Sequence, residues 1–394
     1  MKTLFLCVGD ASGDDHCAPL VRELLARHPD WQIVGLAGPR CEEAGAKLLG
    51  STQGMGVIGF VSALFIWRRS ALLHQLALRW LGENHVDGAI LCDWGGFNTR
   101  MLPDFQRLQI PVCYYFPPRS WQKGGDAGTQ IAPLVAKVAT PFEWSAMKLK
   151  TAGADAHWVG HPILETIAAL PPREELRRKF GFSPDETVVA LLAGSRDMEI
   201  RAIAPNLFRA VEKLSLAQSK HHLKLRFVFA TPPGGADKIS HSFRYLAHDF
   251  IDDPIEGQTL EILRAADVGI IKSGTSTLQA AALDLPQVVV YDGPWFIRAQ
   301  VSLTGLRRKI PLVAMPNIIL DKMACPELLG SDCRAPQITG AVLNLLDSPE
   351  KMAAMRADYA LVRRALGSDL PRSATKMTAD LVEEMVSRFE EYLD

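Results

Sequence analysis

Apolar runs of strand length alternate with stretches of helical periodicity almost from end to end of the chain. In the first half, "TLFLCV" (3–8), "QIVGLA" (32–37), "GAILCD" (88–93), "PVCYYF" (111–116) and "HWVG" (157–160) read as strands, with helical stretches near 15–27, 40–48, 60–83, 97–108 and 141–152. The polar, proline-containing segment "ALPPREELRRKFGFSPDE" (169–186) reads as a connection between domains. The pattern then restarts with "TVVALLAG" (187–194), "KLRFVFA" (224–230), "DVGIIK" (267–272) and "PQVVVYD" (286–292), and closes with helices near 335–347, 349–366 and 374–393. Strict β/α alternation predicts an α/β fold of two doubly wound parallel-sheet domains, 1–168 and 187–366, followed by a terminal segment 367–394. Two such domains in series face one another across a cleft, and their ligands bind beyond the carboxyl ends of the strands.

The totals narrow the class. A chain of 394 residues suits two domains of roughly 150–200 residues. At 48% hydrophobic and 22% charged it is a globular chain, and a net charge of −1 argues against general nucleic-acid binding. The seven cysteines are scattered, without a CxxC pair; Cys7, Cys92 and Cys113 read as small core residues, and a reducing cytoplasm is expected. "MKTLFLCVGDASGD" reads as a first strand and not a signal peptide, and no run of about 18–20 uncharged apolar residues occurs. The acids of "HDFIDDP" (248–254) read as a solvated turn; with no DxD pair, no catalytic metal is expected.

Chemistry-bearing residues gather at the strand-to-helix junctions. In "VGDASGDDH" (8–16), Gly9 and Gly13 permit a tight turn and Ser12 and Asp14 cap or line it. "LLAGSRDMEI" (191–200) places Gly194, Ser195 and Arg196 at a helix N-terminus, where backbone N–H groups favour anions and Arg196 adds a cation. "KSGTSTLQ" (272–279) repeats that geometry two strands later, so the two loops together suit one diphosphate. Asp93, ending a strand in "ILCDWGGFNTR" (90–100), is either a turn cap or a general base, and Asn98 and Arg100 open the next helix. His161, in "WVGHPILE" (158–165), sits at another strand end.

These junctions, in this order, resemble the lipid-A-disaccharide synthase family of GT-B glycosyltransferases, over nearly the whole chain. The resemblance rests on "GDASGD" (9–14), "GLAGPRCEEAG" (35–45), "MGVIGF" (55–60), "CDWGGFN" (92–98), "YYFPPRSW" (114–121), "VGHP" (159–162), "LLAGSRDMEI", "SGTSTLQ" (273–279) and "MPNIIL" (315–320). It implies an inverting, metal-independent transfer of a diacylglucosamine from UDP to an acylated glucosamine phosphate, with no cofactor. Asp93 would be the base and Arg196 would neutralise the departing diphosphate. Gly194, Ser195, Ser273, Gly274, Thr275, Gln279 and Asn317 would line the donor site. Asp10, Ser12, Gly13, Asp14, Asn98, Tyr115, Trp121 and His161 would line the acceptor side. The sequence departs from the family pattern at Asp10, at Trp94–Gly96, at Pro117–Lys123 and at Gln279, where a glutamate is expected. Trading a charged for a neutral hydrogen-bond partner there costs about 1–2 kcal/mol, or roughly 5–30-fold in donor affinity.

The segment 59–84 is apolar nearly all round, with Arg68, Arg69 and Arg79 and flanking Trp67 and Trp80, so it reads either as a core helix or as a helix lying in a membrane interface. The family likeness adds peripheral attachment to the inner membrane, a terminal helix packed back on the first domain, and leaves a homodimer open. Three other readings stay open: a related UDP-sugar glycosyltransferase with a different lipid or amphipathic acceptor, a UDP-sugar epimerase or hydrolase on the same fold, and a non-catalytic nucleotide-sugar-binding protein.

Overall fold

The computed structural model describes residues 1–9, 11–54, 60–126, 128–243, 251–293 and 312–393, with side chains except at 60–66, 241–243 and 389–393. Asp10 and residues 55–59 of the "MGVIGF" stretch therefore lie outside the described residues. The chain forms two compact units, Met1–Glu165 with Ala365–Asp394, and Thr166–Arg364.

In the first unit the elements run β1 (Thr3–Val8), α1 (Ala11–Arg27), β2 (Gln32–Ala37), α2 (Pro39–Glu43), β3 (Lys47–Ser51), α3 (Phe60–Glu83), β4 (Gly88–Cys92) and α4 (Gly95–Arg107). They continue with β5 (Val112–Tyr115), β6 (Lys137–Thr140), α5 (Glu143–Thr151), β7 (Ala156–Trp158) and α6 (Ile163–Ala168), which runs into the second unit. All seven strands are parallel, in the order β3-β2-β1-β4-β5-β6-β7. Both faces are buried, which is why the strands read as unbroken apolar runs. Along β1, Leu4, Leu6 and Val8 pack with α1 residues such as Leu20 and Leu24, whereas Phe5 and Cys7 pack with Met101 and Phe105 of α4 and Leu73 of α3.

The second unit contains α7 (Arg173–Lys179), β8 (Thr187–Leu192), α8 (Asp197–Ala217), β9 (Leu225–Thr231), α9 (Ala236–Phe243), β10 (Ile255–Glu256), α10 (Thr259–Ala265) and β11 (Val268–Lys272). After these come α11 (Thr275–Ala282), β12 (Gln287–Tyr291), α12 (Met315–Leu320), β13 (Glu327–Leu329), α13 (Ala335–Leu346) and α14 (Pro349–Ala365). Its parallel sheet, β10-β9-β8-β11-β12-β13, repeats the winding of the first six strands of the other sheet. The final helix, α15 (Ala374–Leu393), belongs to the first unit, where Val382, Met385 and Val386 join the cluster beneath β1 and β4.

Four strands escape the sequence pattern. β3, β10 and β13 are sheet edges of five, two and three residues, only partly buried, and the helix expected at 40–48 is the short α2 followed by β3. Strand β6 is a four-residue "KVAT" whose lysine is buried through ion pairs with Asp155 (2.6 Å) and Glu384 (3.0 Å). The segment 169–186 carries α7, held to the second unit by Arg177. That guanidinium bonds the Asp267 carboxylate (3.0 Å) and the carbonyls of Ser183 (2.7 Å) and Glu186 (2.8 Å). The clustered acids at 248–254 lie partly outside the described residues; within them, Asp252 pairs with Arg226 at 2.7 Å.

Candidate active site

A doubly wound sheet opens a crevice where strand order reverses, because the loops on either side leave in opposite directions. In the first unit that point lies between β1 and β4, and in the second between β8 and β11. The loops found there are "VGDASGDDH" with "CDWGGFN", and "LAGSR" with "KSGTS". Topology thus brings the four motifs together in two pairs.

At the first switch point Gly9 lies so close to Trp94 that a Cβ on it would stand 2.7 Å from the Trp94 Cβ, and its N–H bonds the Cys92 carbonyl at 3.3 Å. Asp93 and Trp94 both adopt left-handed backbone conformations (φ 53° and 43°), as does Phe116 at the end of β5 (φ 54°). Such strain in non-glycine residues costs of order 1–3 kcal/mol each and persists only where the surroundings hold it. Here the Asp93 carbonyl accepts hydrogen bonds from Asn98 Nδ2 (3.0 Å) and Tyr114 Oη (2.8 Å), and Trp94 stacks on Phe97 at 3.9 Å. Asn98 is fully buried, and its Nδ2 also reaches the carbonyls of Cys92 (3.2 Å) and Cys7 (3.4 Å). It ties the ends of β1 and β4 together and sets the turn that carries half-buried Asp93. Gly13 lies beside it: a Cβ there would meet the Asp93 Cβ at 3.6 Å.

Several residues expected on the acceptor side have other work. The buried Asp14 carboxylate accepts from the backbone N–H groups of Gly38 (3.0 Å), Arg40 (2.8 Å) and Cys41 (3.1 Å), capping α2. Tyr115 is fully buried against α15, because alternation along β5 sends it to the face opposite Tyr114. Tyr114, indistinguishable from Tyr115 by local pattern, is the tyrosine that reaches the Asp93 turn. His161 is buried; its Nδ1 accepts the Ile163 N–H at 3.1 Å, and burial, with the neighbouring His16 second, holds its pKa well below the usual range. His16 was not anticipated either: it stacks on Phe116 at 4.6 Å and meets His161 edge-on at 4.9 Å. Ser12 is half-buried in the first turn of α1, and Trp121 is 40% exposed on its loop.

At the second switch point Gly194 has φ 110°, a conformation that favours glycine, and leads through exposed Ser195 to Arg196, the N-cap of α8. Helices α8 and α11 follow the adjacent parallel strands β8 and β11, so their N-termini lie at the same edge of the sheet, and neither N-cap residue, Arg196 or Gly274, caps its helix with its own side chain. Arg196 Nη1 bonds Glu199 Oε1 at 3.0 Å, and Lys272, the last residue of β11, meets the same oxygen at 2.8 Å. Burial pushes the Glu199 carboxyl up, but Lys272 and then Arg196 outweigh it and hold it below the usual range. Neither Glu199 nor Lys272 stands out in the sequence, since their pairing joins the first turn of α8 to the end of β11, far apart along the chain.

Ser273 Oγ donates to the Val313 carbonyl at 2.9 Å, and exposed Thr275 and half-buried Gln279 lie one turn apart on α11. Asn317, expected among donor ligands, is fully buried instead. It bonds Cys325 N and O (both 2.9 Å) and Glu327 Oε1 (2.8 Å), and Glu327 in turn accepts the N–H groups of Val313 and Ala314. It shapes the loop behind Ser273. Among the described residues no group of three His, Cys, Asp or Glu side chains converges as a metal site, and no helix is long and apolar enough to cross a membrane.

The family model described as lipid-A-disaccharide synthetase matches residues 4–382. The chain belongs to the lipid-A-disaccharide synthase family. It is similar to the lipid-A-disaccharide synthases of Gloeothece citriformis (30% identical over 375 residues, 92% of this chain and 95% of the relative) and Anaeromyxobacter sp. strain K (31% over 366 residues, 92% and 93%). The fold is that of the Staphylococcus aureus MnaA–UDP co-structure (TM-score 0.61, 13% identical, 91% of each chain) and of Acinetobacter baumannii MurG (TM-score 0.58, 14% identical, 98% and 100%). The family membership makes this chain a glycosyltransferase of lipid A synthesis, with the GT-B fold expected from its sequence.

Proposed function

We propose that the enzyme moves a diacylated glucosamine from UDP onto an acylated glucosamine phosphate, inverting the anomeric centre and using no metal. In this reading the second unit grips the donor: the first-turn N–H groups of α8 and α11 and the Arg196 guanidinium take the diphosphate. Asp93 takes the proton of the acceptor hydroxyl as that oxygen bonds to the anomeric carbon. The bond from that carbon to the diphosphate oxygen breaks, and UDP leaves with the electron pair. A positioned base contributes roughly 10²–10⁴-fold. The observation that carries the proposal is the strained, braced turn that holds Asp93 at the ligand edge of the first sheet.

The acceptor is a lipid, and α3 offers a surface suited to one. Trp67, Leu72 and Leu76 are exposed on it (61%, 66% and 39%) beside exposed Arg68, Arg69 and Arg79, while Leu73, Ala77 and Leu81 face the core. Apolar groups interleaved with cations bind the interface of an anionic membrane.

The test is UDP release from purified protein given UDP-diacylglucosamine, with and without acylated glucosamine 1-phosphate. Acceptor-dependent release is expected. Release without acceptor points to a hydrolase or epimerase, and UDP binding without any turnover points to a binding protein. Asp93→Asn is expected to lower transfer by about 10²–10⁴-fold while UDP affinity stays within about twofold; unchanged turnover removes Asp93 as the base.

A further inference from the structure

Lys272 is a cation with an unusual environment. Its side chain is only 14% exposed, and its carboxylate partner Glu199 only 13%. Burying an ammonium is costly unless its charge is matched. Elsewhere in the molecule the match is generous: buried Lys137, which opens β6, has two carboxylates, Asp155 and Glu384. Lys272 has the reverse arrangement. It meets the same Glu199 oxygen as Arg196, so one carboxylate contacts two cations.

That pair of cations sits at the ligand edge of the sheet. The Lys272 ammonium lies 3.6 Å from where a Cβ on Gly274 would stand, next to the first turn of α11, and 5.7 Å from the Tyr291 ring centroid. Glu199 reaches back over Gly194: a Cβ there would lie 2.7 Å from Glu199 Oε2. One carboxylate therefore braces a cation from each of two adjacent strand ends beside the two helix N-termini.

We propose that Lys272 is a second diphosphate-binding cation and that Glu199 positions it together with Arg196 as a two-cation clamp on the leaving group. This rests on the reading of the second unit as the donor site. The clamp takes a diphosphate and ignores the nucleoside, since a shared carboxylate orients the cations toward one anion without touching base or ribose.

The experiment compares the full-length wild type with Lys272→Met and Lys272→Arg, measuring UDP affinity by calorimetry and uridine affinity by ligand-detected NMR. Met keeps the aliphatic bulk, and Glu199 keeps Arg196 as partner, so the fold is retained; a thermal melt checks this. Lys272→Met is expected to weaken UDP by about 10–100-fold, the range for losing a charge-assisted contact, and to leave uridine within about twofold. Lys272→Arg is expected to restore UDP to within about threefold of wild type. Unchanged UDP affinity in Lys272→Met overturns the inference while sparing the donor site. Equal loss of UDP and uridine makes Lys272 a structural residue and overturns it too. A wild type that binds neither ligand sinks the donor-site reading along with the clamp.

Discussion

Replacing Asp14 by alanine removes one acceptor from three backbone N–H groups at once. The motif around it invites a role at the substrate, whereas its contacts at 3.0, 2.8 and 3.1 Å all hold the entry to α2. Two of the donors, on Gly38 and Cys41, belong to buried residues; Arg40 is exposed and its N–H can turn to water. An unpaired buried donor costs about 1–3 kcal/mol, so two cost about 2–6, and we expect Asp14→Ala to destabilise the first unit by about 3–5 kcal/mol. Asp14→Asn, keeping one acceptor oxygen, should lose roughly 1–3 kcal/mol. Seven of the eight tryptophans lie in the first unit, so tryptophan fluorescence in a urea titration follows that unit selectively. At ~2–3 kcal/mol per M, the alanine variant's midpoint falls by about 1–2 M. A midpoint within about 0.3 M of wild type, coupled with lost transferase activity, would refute the capping role and return Asp14 to the substrate.

Two further outcomes use the same titration. His161 is kept neutral by burial and by His16, whereas in the unfolded chain it protonates near pH ~6.5. Below that pH the unfolded state binds more protons, so stability falls as pH drops, by at most about 1.4 kcal/mol per pH unit from this group. His161→Gln should flatten that part of the slope between about pH 6.5 and 5, and identical slopes in both proteins would exonerate His161. Arg27 bonds Asp380 (2.8 Å) and Glu383 (3.1 Å) on α15, and their attraction lifts its pKa despite the cost of burial. Arg27→Met should cost about 1–2 kcal/mol in low salt and visibly less in 0.5 M NaCl, the two titrations being compared directly; a salt-independent loss would mean that packing and not charge docks the terminal helix.

What the sequence determined by itself is what local chemistry decides. Unbroken apolar runs separated by helical periodicity dictate parallel strands covered on both faces, and glycine, serine and arginine at strand ends dictate tight turns into helix N-termini. Those signals need only neighbours along the chain, so the winding and the pairing of the 191–200 and 272–279 loops were legible. Strands β3, β10 and β13 were not, because short edge strands are specified by the strand they join and not by their own composition. The choice between Tyr114 and Tyr115 depends on which face of β5 meets the Asp93 turn, and the choice between Asp14 and Asp93 depends on where β2 delivers the N–H groups of α2. Asn317 reads as a ligand until Cys325 and Glu327 fold around it. Glu199, in the first turn of α8, and Lys272, at the end of β11, are ordinary charges far apart in sequence, and only the adjacency of β8 and β11 in the sheet makes them partners. Each of these was decided by contacts between residues distant in sequence, where burial makes an unpaired polar group too costly to leave alone.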